Sequence, residues 1–104
     1  WMGQIKEFPR GGKADIAFYR LGTLSFSKGN IEEAEAYYRR SLEVSKDKEI
    51  AIKAKYALAQ CLEAAERLKD ALAIYQELEP LYQNKEAIRI KIRALETRII
   101  KKSY

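Results

Sequence analysis

From residue 14 onward, apolar and small side chains return every three or four positions. Ala14, Ala17, Phe18, Leu21, Gly22 and Ser25 fall on one helical face, as do Ala51, Ala54, Leu58, Ala59 and Leu62. That rhythm predicts amphipathic helices carrying one packed stripe each, and strand alternation is nowhere sustained. The breaks between stripes carry turn chemistry. In Ser27-Lys28-Gly29-Asn30, Gly29 suits the left-handed residue that closes a helix, and Asn30 suits the cap of the next, with Glu33 at capping-box spacing. Asp47 and Asn84 share one position of the pattern and suit caps of later helices, while Gly11-Gly12 marks the corresponding earlier turn. Pro80 cannot continue a helix interior, so a kink or early end is predicted near residues 79–83. The predicted elements are five helices at 14–27, 31–45, 49–65, 68–79 and 86–102, preceded by a helical stub.

These helices repeat. Sliding the sequence by 37 residues superposes Leu21 on Leu58 and Leu95, Ala14 on Ala51 and Ile88, Tyr19 on Tyr56, Ala34 on Ala71 and Tyr38 on Tyr75, with no insertion. Carried backwards, the same shift lays Trp1 on Tyr38 and Ile5 on Leu42, so residues 1–8 read as the tail of an earlier repeat and the chain as part of a longer polypeptide. A two-helix unit cannot bury its apolar face alone, and stacking such units builds a continuous core. The organisation predicted is one domain over residues 1–104: a tail at 1–8, repeat 1 at 14–48, repeat 2 at 51–83, and a capping helix at 86–102.

The run Phe18-Tyr19-Arg20-Leu21-Gly22, then Gly29-Asn30-Ile31-Glu32-Glu33-Ala34, then Tyr38 and Ser41-Leu42-Glu43, resembles a tetratricopeptide repeat at nearly every signature position. Leu58-Ala59, Leu62, Leu68, Asp70-Ala71 and Tyr75 repeat the pattern in the second unit. Small residues at Gly22, Ala34, Ala59 and Ala71 let paired helices approach, and Phe18, Leu21, Tyr38 and Tyr75 fill the space beside them. Departures are Glu66 in place of the turn glycine, Lys55 where an aromatic is usual, and Lys46 and Gln83 where proline is common. The resemblance implies an all-α fold: a right-handed superhelical stack of antiparallel helix hairpins with a C-terminal capping helix. Long repeats with an aromatic-Pro turn such as Phe8-Pro9 are similar to those of bacterial cell-envelope tetratricopeptide proteins, including outer-membrane assembly lipoproteins and periplasmic Tol-associated factors. That likeness points toward the envelope or periplasm, a location the residues themselves leave open.

Composition narrows the chemistry. With 104 residues, 47% apolar and 34% charged, the chain is one small domain. A single cysteine excludes an internal disulfide framework or thiolate cluster, and the absence of histidine removes imidazole bases and ligands. Neither a Gly-rich phosphate loop nor a nucleophile with its base is present, so the reading is non-enzymatic and without cofactor or metal. No apolar run approaches the roughly 20 residues of a membrane span. The net charge of +5 is localised. Residues 85–104 hold seven bases (Lys85, Arg89, Lys91, Arg93, Arg98, Lys101, Lys102) against Glu86 and Glu96, and the remainder sums to zero. An acidic partner is therefore to be sought at the terminal helix.

In such a stack the first helix of each repeat lines the concave side. The packing stripe then assigns to that side Ile16, Tyr19, Thr23 and Phe26; one repeat on, Lys53, Tyr56, Gln60 and Glu63; and one further on, Ile90, Arg93, Thr97 and Ile100. This mixture suits a peptide or protein segment, with Tyr19 and Tyr56 as rigid anchors and Arg93 able to hold a carboxylate. For Tyr19 and Tyr56 a core role weighs equally, whereas Tyr38, Tyr75 and Cys61 read as core. Ile90 and Ile100 lie well off the stripe Ile88, Ile92, Leu95 and Ile99, which favours a contact there. The family's clamp for acidic chaperone tails uses lysine and asparagine, where this chain has Tyr19, Thr23, Ala57 and Gln60; that reading is disfavoured. The leading function is a protein–protein interaction module of a scaffold or adaptor. The alternative is self-assembly into a homo-oligomer through exposed solenoid ends, around Phe18, Leu21, Trp1 and Ile5. Nucleic acid is a disfavoured partner, since base-stacking and groove-reading motifs are lacking.

Overall fold

The computed structural model describes residues 14–103. They form five helices: α1 (Ala14–Ser27), α2 (Ile31–Val44), α3 (Lys48–Ala64), α4 (Leu68–Leu78) and α5 (Lys85–Ser103). Every boundary falls within one residue of its prediction. The stub at residues 1–8 and the Gly11-Gly12 turn lie outside the described residues. Among those described there is no strand, each helix packs on the next along the chain, and α1 also touches α3. The result is the stack of antiparallel hairpins that the repeat implies.

Two similar turns close the hairpins. Gly29 sits at φ +85°, and beside it the Asn30 amide donates to the Ser25 carbonyl at 2.9 Å. In the second hairpin Glu66 takes φ 64°, and the Arg67 amide donates to the Leu62 carbonyl at 2.8 Å. A side chain thus occupies the left-handed position that glycine fills in the first turn. The caps divide. Asp47 accepts from the Glu49 amide at 2.8 Å and Asn84 from the Ala87 amide at 3.1 Å, as their spacing predicts. Asn30 makes no side-chain cap, and the capping box does not form. Its other half, the Glu33 carboxylate, accepts instead from the buried Ser25 hydroxyl at 2.7 Å. Pro80 falls two residues after the end of α4, where it interrupts no helical hydrogen bond.

The core forms where small residues face aromatic ones. A Cβ built on Gly22 would lie 2.7 Å from Cε1 of Tyr38, so α1 and the Tyr38 ring approach too closely for any side chain at that point. One repeat on, fully buried Ala59 shares the core with Tyr75; in α5 the same column holds Glu96, which is exposed. Tyr38, Leu58, Leu62, Tyr75, Leu78, Ile88 and Leu95 are buried. Phe18 and Leu21 are only half-buried, because α1 is the outermost described helix on their side. Phe18 stacks on Tyr37 with ring centroids 6.4 Å apart, and the Arg40 guanidinium lies 5.2 Å from its ring centre.

Candidate partner-binding face

The first helices of the hairpins, α1 and α3, touch side by side, so their outward faces form one surface. On α1, Tyr19 is half-buried with its ring 5.7 Å from that of Tyr38. Thr23 is exposed; its hydroxyl donates to the Tyr19 carbonyl at 3.1 Å and shares a 2.9 Å hydrogen bond with the Tyr38 hydroxyl. Ile16 and Phe26 are half-buried, Phe26 against the core. The structure therefore gathers Tyr19 and Thr23 around Tyr38.

On α3, Tyr56 is held between two rings: Tyr75 edge-on at 5.5 Å, and Tyr82 stacked at 5.5 Å with 19° between planes. Glu63 accepts from the Tyr75 hydroxyl at 2.6 Å and lies 3.6 Å from both Lys91 and Arg98 of α5. Burial and this carboxylate together push the Tyr75 hydroxyl well above the usual phenol range. Gln60 is exposed and lines a shallow depression with Glu63, Lys91 and Arg98. Lys53, also exposed, borders an open cleft of about 550 Å³ with Ile52, Leu81 and Tyr82.

On α5, the stripe Ile88, Ile92, Leu95 and Ile99 turns inward, and Arg93 and Thr97 are exposed. Ile90 is 62% exposed and Ile100 57%, both unusual for isoleucine. Sequence reasoning missed three contributors: Tyr82, Lys91 and Arg98. Tyr82 falls on Ser45 in the repeat register, so the 37-residue shift carries no signal for it. Lys91 and Arg98 were legible as part of the basic helix, but their shared partner Glu63 was not.

Elsewhere the chemistry is quiet. Cys61 is fully buried, and burial with the nearby Glu35 charge pushes its thiol from 9.0 up to about 11, leaving it protonated and inert. Among the described residues no cluster of acidic, cysteine or histidine side chains is placed to hold a metal. No described helix is long and apolar enough to cross a membrane.

Consecutive antiparallel hairpins, closed by matching turns and packed through a small-residue column, define a helical-repeat solenoid. A family model of the tetratricopeptide repeat matches residues 14–84, and the chain belongs to that family. Its members generally act as non-catalytic scaffolds and typically bind proteins or peptides. The match is to the repeat in general and does not single out the cell-envelope subgroup. No curated protein and no solved structure matches the chain.

Proposed function

We propose that this chain is a protein-interaction module of a scaffold, with its partner lying across the outward faces of α1, α3 and α5. Helices α1–α2 and α3–α4 act as its two repeats and α5 as the capping helix. The observation that carries this reading is the state of Tyr56. Its ring is fixed between Tyr75 and Tyr82 yet remains part-exposed, with Gln60 one turn along α3 exposed beside it. An aromatic immobilised before binding loses little side-chain entropy on contact, which is the property of an interface anchor. Tyr19, held against Tyr38, repeats the arrangement in the first hairpin.

The test is site-specific photo-crosslinking in cells, with the reactive group at Gln60 on the proposed face or at Gln76, exposed on α4. A partner polypeptide captured from Gln60 and not from Gln76 supports the reading. Capture from Gln76 alone would overturn it. Products that contain only copies of this chain would replace it with self-assembly.

A further inference from the structure

The basic excess of α5 does not form a uniform surface. Arg89 pairs with Glu79 at 2.7 Å, Lys91 with Glu63 at 3.6 Å, and Arg98 with Glu63 and Glu66; Lys102 also reaches Glu66. Lys85 donates to the Pro80 carbonyl at 3.2 Å. Arg93 and Lys101 have neither a hydrogen bond nor an ion pair to any described residue. Those engaged bases hold α5 to the rest of the stack, so two cations remain for other contacts.

These two bases stand beside the exposed isoleucines. At about 100° per residue, Ile90, Arg93, Thr97, Ile100 and Lys101 occupy an arc of roughly 100° on the side of α5 opposite Ile88 and Leu95. The steps from Ile90 to Arg93, Thr97 and Ile100 are three, four and three residues, the spacing with which one helix meets another along a seam. At 1.5 Å per residue the strip runs straight for about 15 Å.

We propose that this strip is a docking seam for an acidic amphipathic helix of a partner protein. The inference rests on the interaction-module reading above and adds the chemistry of the partner. Charge decides the occupant. A second copy of α5 would bring an equally basic helix against the strip, setting like charges along the seam. A partner helix with apolar residues at the same spacing covers Ile90 and Ile100, and its flanking carboxylates reach Arg93 and Lys101. A purely anionic surface would engage the bases and leave both isoleucines in water.

The experiment is fluorescence anisotropy of the full chain with a labelled peptide of about 18 residues, longer than the seam. The peptide carries leucines at three- and four-residue steps flanked by glutamates. Controls are a scrambled peptide of the same composition, a version with lysine for every glutamate, and a single-stranded oligonucleotide. The patterned acidic peptide is expected to bind at least tenfold tighter than any control. Arg93→Glu, and Ile90→Ser combined with Ile100→Ser, should each weaken it at least tenfold, while Lys69→Glu on α4 leaves it unchanged. All these positions are exposed, and circular dichroism verifies that each variant keeps its helices. Raising the salt concentration should weaken binding further by screening Arg93 and Lys101. Absence of binding, equal binding of the scrambled peptide or oligonucleotide, or indifference to loss of the isoleucines would each overturn the proposal. Crosslinks from Gln60 that persist in any of those cases leave the interaction-module reading standing, so the two fail separately.

Discussion

Laid over the first hairpin by the 37-residue shift, the second places Ile52 on Asp15, Leu62 on Ser25 and Leu78 on Ser41. In α1–α2 the three positions form a buried polar set. Ser41 donates to the Asp15 carbonyl at 2.8 Å, Ser25 to Glu33, and Ser45 reaches the Asp15 carboxylate at 3.4 Å. In α3–α4, Leu62 and Leu78 are fully buried hydrocarbon. The outer edge inverts as well: Phe18 beneath Arg40 becomes Lys55 paired with Glu77 at 3.3 Å, in the same two columns. What both hairpins keep is the close approach, Gly22 or Ala59 with Tyr38 or Tyr75. The repeat therefore prescribes a geometry and leaves the chemistry of the stripe free. Full burial of a leucine contributes about 1.5–3 kcal/mol, against about 1 kcal/mol net for a typical hydrogen bond, so the second hairpin is the stable half.

That ranking breaks most readily at its largest difference. Leu78→Ala should destabilise the chain by about 2–5 kcal/mol in urea denaturation, whereas Ser41→Ala should cost about 1 kcal/mol. Equal losses would mean that the polar set holds the first hairpin as firmly as hydrocarbon holds the second. Next is the shared column. Gly22→Ala drives a methyl group into the Tyr38 ring and should cost about 1–3 kcal/mol despite the better helix propensity of alanine; unchanged thermal stability would show that the ring can yield. The turns should respond with opposite signs. Gly29→Ala is expected to destabilise by about 1 kcal/mol, and Glu66→Gly to stabilise by up to about 1 kcal/mol less whatever its exposed ion pairs contribute. A loss of stability in Glu66→Gly would assign its contacts more weight than its backbone.

The smallest effect is electrostatic and belongs to the second hairpin alone. Lys102 and then Arg98 hold the exposed Glu66 carboxyl below its ordinary 4.5. Its contribution is complete above that ordinary value and is lost as pH falls through the lower folded value. Amide exchange in the last turns of α5 should therefore quicken at the acid end of that window in the native chain, and not in Glu66→Gln. Identical profiles would remove Glu66 from the attachment of α5.

Legibility in the sequence followed the reach of each interaction. Helix ends were readable because Gly29, Asp47, Asn84 and Pro80 act on backbone within a few residues of themselves. Asn30 was misread because Ser25, across the turn and buried in α1, takes the Glu33 carboxylate that a capping box requires. The exposure of Ile90 and Ile100 was readable from angular position alone. What engages the basic helix was not, since Glu63, Glu66 and Glu79 lie 10 to 36 residues away in sequence and on no common face. Tyr82 was hidden for another reason: it stands in the connection after α4, where its counterpart one repeat back is Ser45 and carries no ring.

Glu96 carries a practical consequence for anyone wishing to lengthen the array. The column that holds Gly22 and Ala59 is the seat on which the second helix of each hairpin rests an aromatic ring. In α5 that seat holds a carboxylate standing in solvent. A helix grafted after α5 in the same register would have to bury that charge without a partner. Splicing consensus units onto this chain thus begins with Glu96→Gly or Glu96→Ala, and a length series with and without the change would measure how much one side chain in this column controls the docking of the next helix.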